Sequence, residues 1–467
     1  MIAIKNPVSV PGSFLWEKAM RLLWLRNDLR LDDHAGWQAL ADYQGKTAAV
    51  YILPAHWQKT DAAGLHRLGA AKAAYLQQAL ADLSARLAPF PLTLLQGEPV
   101  ELLLAWHQQQ PFELVTHVAQ APEEAGWLAR LCDAGVKVQT FEAQPLFEPE
   151  QVAPLLEKFP ASFTGFRKKV EKFPAWSVPA PQAAADLGRL QAANCPLTTG
   201  FDWPAMPGAP VHPAWQGGET AAQGWLKHYL FERRALAHYK TSRNDLAGRY
   251  FSSHLSAALA WGCLSSRTVW HQILEYEQQW GSDEHSYWLR FELLWREYFH
   301  WSLRVHGSQL FATGGLTGKA GLGVFNPEYW QAWCEARTGW PMIDAGLKEL
   351  MATGFCSNRL RQNLASCFIH ELGLDWRLGA RFFEQYLVDF DVASNWGNWA
   401  YIAGAGHDPR QGRRFNPHRQ WRQYDPGLTH LHQWLPELGT VTLKQVEAHQ
   451  RGERLLDYSA PLLPLEC

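Results

Sequence analysis

Short apolar runs alternate with stretches of helical periodicity over the first 150 residues of the chain. The clearest helical stretch is 65–87, which is rich in Ala, Leu and Gln. Strands separated by helices of this length predict an open, mostly parallel sheet that is covered on both faces. The apolar runs taken as strands lie at 21–25, 48–53, 92–95, 114–119 and 136–141.

The pattern then changes twice. Prolines crowd the stretch from 145 to 213, which predicts a long connector rather than packed layers. From Glu219 onward the periodicity is helical, and glycines or prolines separate the amphipathic stretches. These stretches lie at 221–238, 266–279, 285–305, 343–353, 358–371 and 376–388.

The chain therefore divides into an α/β domain, a Pro-rich linker and an all-helical domain. We expect residues 1–19 to be a disordered extension, because Met20 directly precedes the first strand; translation from Met1 and from Met20 are both open. After the helical domain we expect one short helix and a loose tail. The bounds are 20–146 for the α/β domain, 147–218 for the linker, 219–438 for the helical domain and 439–467 for the tail.

Composition narrows the class of protein. The formal net charge is only −2, so no whole-molecule field argues for nucleic acid. Seven dispersed cysteines without a C-x-x-C pair predict a reduced, cytoplasmic protein. The histidines lack metal-ligand spacing, so no metal is expected. No apolar run approaches the roughly 18 residues of a membrane span, so no membrane partner is expected.

Two local features concern ligands. Residues 407–422 hold five arginines and one acid, which is either a solvated face or a polyanion site. The loop 26–34 after the first apolar run contains neither G-x-G-x-x-G nor a P-loop. An ordinary dinucleotide or ATP site is therefore not expected there.

The stretch 376–401 is the most unusual part of the sequence. Asp389 and Asp391 precede a run rich in Asn and Trp that reaches Tyr401. Asp, Asn and Gly are poor helix formers, and carboxylates seldom bury without partners. The run is too polar for a core helix and too aromatic for a loop, so we expect a flat polar ligand against it. The alternative is a Trp-rich helix packed in a large core.

A serine cluster is the next candidate. Ser252, Ser253 and Ser256 precede an apolar helix expected at 257–264. Hydroxyls and free amides at a helix start suit a phosphate. Ordinary N-capping is the alternative.

A third candidate is a helical face. Glu292, Trp295 and Arg296 fall at i, i+3 and i+4, and so share one face. A surface Glu–Arg pair is the alternative there. Residues 357–363 add a cluster of hydrogen-bond donors on one helical turn.

Taken together, these motifs resemble the photolyase/cryptochrome family, and within it the DASH-type cryptochromes. The resemblance extends from Met20 to about Leu438. It implies an N-terminal α/β domain, a long linker and an all-helical domain that binds a U-shaped FAD. The motifs are the opening Leu-Trp-Leu-Arg-Asn-Asp-Leu-Arg and the segments 241–246, 292–299, 354–359 and 389–401.

The resemblance implies roles for single residues at the flavin. Arg296 would reach the phosphates or the isoalloxazine edge, and Asn395 would face the N5 position. Asp389 and Asp391 would hold adenine or ribose groups and the flavin edge, because a protein tunes a cofactor through such hydrogen bonds. The contacts to the diphosphate and ribitol would be Tyr239, Ser252, Ser253 and Ser256.

Trp399 and Trp376 would be the first two members of the family's electron-transfer relay, which reduces the flavin after blue-light excitation. The third tryptophan of that relay aligns with Gly323, so the chain departs from the family pattern here. Either photoreduction is inefficient or another residue substitutes. The candidate substitutes are Trp330, Tyr329 and Trp333.

The resemblance also implies the substrate, a cyclobutane pyrimidine dimer flipped out of its strand into an aromatic pocket with a polar end. No histidine occurs between His306 and His370, so the histidine pair of (6-4) photolyases is not expected. The implied catalytic residues are Glu292, Trp295, Asn358 and Asn395.

Gln362 and Tyr401 stand where many duplex-active photolyases have methionine and tryptophan. Both make the pocket more polar, which favours single-stranded or looped DNA. Phosphate contacts beside the pocket predict a strong salt dependence of binding. They would be Arg359, Arg361, Arg410, Arg413, Arg414, Arg419 and Arg422.

The predicted function is therefore light-driven repair, in which reduced, excited FAD lends an electron to open the cyclobutane ring. The expected partner is single-stranded DNA, with RNA as an alternative, and we expect a monomer. A folate antenna such as 5,10-methenyltetrahydrofolate is also expected, with Glu123 as its candidate acidic contact. Two rivals are a blue-light receptor that binds nucleic acid without repair and a nucleic-acid-binding protein with a structural flavin.

Overall fold

The first part of the computed structural model is a parallel β-sheet. Its strands are β1 (Met20–Leu25), β2 (Thr47–Pro54), β3 (Leu92–Gly97), β4 (Phe112–His117) and β5 (Lys137–Phe141), in the order β3-β2-β1-β4-β5. The structure describes residues 20–172, 177–197, 203, 216–319, 323–407 and 412–463. The extension predicted at 1–19 lies outside these ranges.

Helices cover both faces of this sheet. They are α1 (Ala35–Ala41), α2 (Ala70–Leu87), α3 (Pro99–Gln109) and α4 (Pro122–Asp133). Leu22 and Trp24 of β1 belong to the core under α3 and α4, while Leu23 and Leu25 belong to the core on the other face, as the period of two requires. That second core continues into the helical part of the chain, so the two parts share buried apolar surface.

The described residues that follow the sheet form mainly helices, which confirms the predicted fold class. Two short helices, α5 (Pro149–Leu156) and α6 (Phe163–Val170), lie in the stretch predicted as a linker. The others are α7 (Glu219–Lys227), α8 (Tyr239–Ser242), α9 (Ser256–Ala260), α10 (Ser266–Trp280), α11 (Glu284–His306), α12 (Pro327–Cys334), α13 (Pro341–Thr353), α14 (Asn358–Ser366), α15 (Trp376–Tyr386), α16 (Val392–Ala403), α17 (Pro417–Tyr424), α18 (Thr429–Trp434) and α19 (Leu443–Gln450). Within the described ranges, none of the helices is both long and apolar enough to cross a membrane.

The expectation that the 376–401 stretch is too polar for a core helix is wrong, because α16 forms over residues that include several poor helix formers. Asp391 caps the helix through its side chain, and the Asn398 amide donates to the Ser394 carbonyl at 2.8 Å. At Gly397 an added Cβ would lie 2.3 Å from the Phe299 ring, so glycine permits close packing. Caps and packing thus override intrinsic propensity here.

The tail is not loose in the part that the structure describes. Val446 and His449 of α19 are buried, and His449 Nε2 lies 3.1 Å from the Gly339 carbonyl oxygen. Trp340 Nε1 donates to the Leu463 carbonyl at 3.0 Å. Buried apolar side chains and hydrogen bonds to α13 and its approach therefore order this segment.

Candidate active site

Helices α14, α15 and α16 border a cavity that is partly open to solvent. The three helices meet because Leu364, Phe383 and Trp399 share one apolar core. The polar side chains left on the cavity side line the space. They are Asn358, Arg361, Gln362, Asp389, Asp391, Ser394, Asn395 and Asn398.

Asp391 is fixed by three partners. As the N-cap of α16 it accepts a hydrogen bond from the Ser394 backbone N–H at 2.7 Å. Its Oδ2 lies 2.9 Å from His300 Nε2 and 3.7 Å from the Arg296 guanidinium. Burial opposes ionisation, but these partners hold the pKa of Asp391 well below its usual value. The carboxylate is therefore a fixed negative charge at the cavity wall.

Asp389 is buried two residues earlier and has one satisfied oxygen. Oδ2 accepts from Arg361 Nη2 at 2.9 Å, and Arg361 Nε donates to the Cys356 carbonyl at 2.9 Å. Oδ1 is buried and has no hydrogen-bond partner among the described residues. Because a buried acceptor without a donor is costly, this wall suits a ligand that brings a hydrogen-bond donor.

The serine segment lies close to this ion pair. The His254 ring is 5.3 Å from the Phe355 ring, and the Arg361 guanidinium lies 5.0 Å from that same ring. Trp261 Nε1 donates to the Val388 carbonyl at 2.9 Å. The segment containing His254 and Trp261 therefore packs against Phe355 and Val388, close to the Asp389–Arg361 pair, although these residues are far apart in sequence.

Ordinary N-capping by the serines is not what the structure shows. The helix expected at 257–264 is the short α9, and Leu255 occupies its N-cap without a side-chain hydrogen bond. Ser253 is buried, Ser252 is half-buried and Ser256 is exposed. Their side chains are thus placed by the loop rather than by a capping role.

Glu292 forms an ion pair with Arg243, so the alternative of a surface pair with Arg296 is wrong. Burial raises the pKa of Glu292, and Arg243 opposes that rise. Tyr239 is buried nearby, and burial together with the Glu292 charge raises its pKa. The sequence motif 241–246 contained Arg243, but its partner could not be read from spacing.

Trp295 is held by aromatic neighbours. Phe163 of α6 stacks on it, with ring centroids 3.8 Å apart and planes at 14°. The edge of the Tyr401 ring meets it at 5.8 Å and 77°. Arg296 points elsewhere, because its Nη1 donates to the Gln144 carbonyl of the α/β part at 3.0 Å. Trp295 and Arg296, which were predicted to share one helical face, therefore contact different parts of the molecule.

Besides Arg361, two more of the predicted phosphate contacts are engaged in ion pairs. Arg414 Nε and Nη2 each lie 2.9 Å from a carboxylate oxygen of Glu371. Arg422 pairs with Glu447 in the same bidentate way. Exposed pairs contribute little to stability, but they reduce the free positive charge of the basic run.

The other arginines predicted as phosphate contacts have different surroundings. Arg413 donates to the Tyr401 hydroxyl, and its guanidinium lies 4.7 Å from the Tyr401 ring. Arg359 lies 4.7 Å from the Tyr424 ring. Arg419 is exposed at the start of α17. Arg410 lies outside the described residues.

The two predicted relay tryptophans lie along the contact between α15 and α16. At Gly379 an added Cβ would be 2.2 Å from the Trp399 ring, so that ring rests on the glycine. Phe383 and Phe368 flank the ring at 5.0 and 5.6 Å. Trp376 is fully buried one helical turn before Gly379.

Gly323 lies beside the start of α15, yet it has no room for a side chain. Its φ is +97°, and an added Cβ would lie 2.3 Å from the Leu374 carbonyl oxygen and 2.6 Å from the Asp375 nitrogen. Asp375 directly precedes Trp376. A tryptophan at position 323 would therefore require the main chain to move.

Comparison with known proteins agrees with this geometry. The model described as "FAD binding domain of DNA photolyase" matches residues 288–460, and that described as "DNA photolyase" matches 21–184. The chain belongs to the photolyase/cryptochrome family. It is 36% identical to cryptochrome DASH of Gloeobacter violaceus over 95% of this chain and 93% of that protein. It is 34% identical to cryptochrome DASH of Synechocystis sp., over 94% of each.

Solved structures of this family are similar in fold. Synechocystis sp. cryptochrome superposes with a TM-score of 0.86 at 33% identity, covering 95% of this chain and 96% of that one. A bacterial class III photolyase from Agrobacterium tumefaciens gives 0.77 at 26% identity, covering 98% and 96%. The matched FAD-binding domain contains α14, α15 and α16, and thus the cavity described above.

A second cavity, partly open to solvent, lies between the α/β part and the helical part of this photolyase-family chain. Glu123 lies on its wall, bound by Arg67 Nη1 at 2.9 Å and by His56 Nε2 at 3.0 Å. Glu123 was predicted from the sequence as an antenna contact, but the other lining residues were not, because they are distant in the chain. They include Lys59, Asp61, Phe311, Arg381, Glu384 and Trp396.

His300 was also missed as a site residue. It follows Glu292 and Arg296 at intervals of four on α11, so helical spacing contained the signal. Its role as the partner of Asp391 depends on the approach of α16, which spacing alone does not reveal.

Proposed function

We propose that this chain is a light-driven DNA lyase that splits cyclobutane pyrimidine dimers with FAD and prefers single-stranded or looped DNA. One observation carries the proposal. Asn358 and Gln362, implied to contact substrate, line the same cavity as Asp389 and Asn395, implied to contact the flavin. A receptor without repair has no need of both sets in one space.

The polar residues of the cavity between α14, α15 and α16 fit FAD. Asp389 Oδ1 offers a buried acceptor that needs a donor, and Asp391 a fixed negative charge for hydroxyl or amine groups. Asn395 is held by its amide, which donates to the Ala380 carbonyl at 3.0 Å. Bound FAD would supply the light-absorbing electron donor for ring opening. The diphosphate and ribitol would be held by Tyr239, Ser252, Ser253, Ser256 and Arg296.

The substrate would be held by Glu292, Trp295 and Asn358. Burial raises the pKa of Glu292, which favours the protonated form that could donate to a carbonyl oxygen of the flipped pyrimidine, and Arg243 positions the carboxyl group. Trp295, which is half-exposed and braced by Phe163, offers a surface for base stacking. Asn358 is exposed at the start of α14, where its amide can bond an imide group.

Three features support the single-strand preference. Gln362 makes the cavity wall polar, and the Tyr401 hydroxyl is held by Arg413. Flipping a base costs least when the strand is unpaired. With Arg414 and Arg422 engaged in ion pairs, the surface offers less free charge to grip a duplex backbone.

The second cavity suits the proposed folate antenna. Although burial opposes ionisation, its partners lower the pKa of Glu123, which leaves an ionised acceptor for the donors of a pterin ring. Phe311 and Trp396 offer aromatic surface, and Lys59 offers a cation for an acidic tail. Reconstitution with methenyl-folate should add its absorbance band, and Glu123→Ala should weaken that binding without loss of FAD.

Repair can be measured directly. Chemically reduced protein is illuminated with blue light in the presence of dimer-containing oligothymidine, as single strands or as duplex, and recovery of the absorbance of intact thymine is followed. We expect recovery, and faster recovery on single strands. No recovery on single strands would overturn the lyase and leave the blue-light receptor.

One variant tests the substrate assignment. Glu292→Gln should slow repair at unchanged FAD content, because the carboxyl group is assigned to the dimer. Glu284→Gln, on the same helix but exposed and paired with Lys240, is the matched control and should repair normally. Loss of flavin from the Glu292 variant would instead assign that residue to the cofactor.

A further inference from the structure

If Trp376 is oxidised, it can be reduced again only by an electron from another residue of the protein. Its side chain is fully buried, so no reductant in solution can reach it. Its Nε1 donates to the Thr313 carbonyl at 3.0 Å, and a carbonyl oxygen is not a base that would take the indole proton. Gly323, at the position of the usual third tryptophan, cannot carry a side chain in this backbone conformation.

The residue in ring contact with Trp376 is Trp396. The centroids of the two indoles are 5.8 Å apart and their planes meet at 79°. Trp396 also contacts Phe311, with centroids 4.8 Å apart. It lines the second cavity, where its edge is reachable from solvent, although only 8% of its surface is exposed.

The two tryptophans among the substitutes expected from the sequence lie on a different path. Trp330 and Trp333 contact the rings of Phe368 and Phe382. No ring contact joins either of them to Trp376 among the described residues. Phenylalanine is a poor electron donor, so these contacts do not continue a relay.

We propose that Trp396 is the terminal member of the relay and that electrons enter the protein through the second cavity. The inference rests on the proposed function, since it concerns how its flavin is reduced. Trp399 gives one electron to the flavin and is refilled by one electron from Trp376, which takes one from Trp396. The oxidised Trp396 loses its indole proton to water in the cavity. A small thiol then returns one electron and one proton, and two thiyl radicals combine to a disulfide.

The experiment compares Trp→Phe variants of the FAD-loaded protein with dithiothreitol as the thiol. Laser-flash absorption gives the lifetime of the tryptophan radical, and steady blue light gives the yield of reduced flavin. Trp396→Phe should shorten the radical lifetime and reduce the yield to the level of Trp376→Phe. Trp330→Phe tests the rival path, and Trp280→Phe, at a partly exposed position on α10, controls for the substitution itself.

Three readouts separate the outcomes. FAD content and thermal unfolding show whether Trp396→Phe is folded. Trp396→Tyr keeps an oxidisable ring, so it should recover part of the yield if Trp396 acts as an electron donor and not only in packing. Repair by chemically pre-reduced protein without added folate does not pass through the relay or the second cavity, so a failed repair assay in the unsubstituted protein overturns the proposed function and not the relay. A normal yield in Trp396→Phe, or a loss confined to Trp330→Phe, would overturn the assignment of Trp396.

Discussion

Replacing Gly379 by alanine tests the packing of Trp399 on α15. An added Cβ would lie 2.2 Å from Cη2 and 2.3 Å from Cζ3 of the Trp399 ring. The ring would have to withdraw by about 1.2 Å to reach the 3.4 Å of ordinary van der Waals contact. Phe368 and Phe383 stand at its sides, so it cannot move freely.

Two opposing terms set the size of the effect. Overpacking a core costs about 1–3 kcal/mol, whereas replacing a helical glycine by alanine gains about 1 kcal/mol. We therefore expect Gly379→Ala to lose roughly 0–2 kcal/mol of unfolding free energy. Photoreduction should fall as well, because Trp399 lines the cavity proposed to hold the flavin and would be displaced.

The control is Gly126→Ala on the exposed side of α4. Nothing lies within 4 Å of a Cβ added there, so only the gain in helix propensity remains, about 1 kcal/mol. Both variants are unfolded in urea and followed by circular dichroism, with the same excess of FAD in every sample because ligand binding shifts apparent stability. If Gly379→Ala were stabilised as much as Gly126→Ala, the close contact with Trp399 would be refuted.

Three further outcomes follow from the charges. Asp389→Asn and Arg361→Gln should each cost about 3 kcal/mol of stability, and the double variant less than their sum; additive losses in a double-mutant cycle would contradict the buried pair. Repair should slow as pH rises through the raised pKa of Glu292 and lose that dependence in Glu292→Gln; a dependence that persists in the variant would assign it elsewhere. Burial and His306 lower the pKa of His407 to about 4, so its neutral form stabilises the fold above the ordinary histidine pKa of about 6.5. That contribution should fade between those values as pH drops, and thermal unfolding of His407→Gln should show a weaker loss.

The parts of the fold that could be predicted are those set by local periodicity. The strands of the α/β part and the long helix α11 follow from apolar spacing of two and of 3.6 residues. The start of α2 shows the limit of this spacing, because a helix is predicted from residue 65 but α2 begins at Ala70. The Arg67 and Leu68 amides donate instead to the Trp57 carbonyl, and the Gly69 amide donates to that of Gln385.

The parts of the site that could not be predicted depend on contacts between distant segments. Asp389 and Asp391 could be named from sequence, but His300 and Arg361 became their partners only through packing of α11, α14 and α16. Phe163 comes from a stretch predicted as a linker, yet it stacks on Trp295. Periodicity shows which side of a helix is buried and not what is buried against it.

The two cavities lie close together because a single turn of α16 borders both of them. Trp399 lines the first cavity and Trp396 the second, and residues three apart on a helix are neighbours. Trp376 of α15 lies in ring contact with Trp396, so in the proposed relay a hole would cross between the cavities without any movement of the main chain. Without a side chain at Gly323 the usual path for the hole is absent, but the proposed relay keeps another path through Trp396. A chromophore in the second cavity would cover Trp396, so its binding should slow reduction by an external thiol while leaving repair by pre-reduced protein intact.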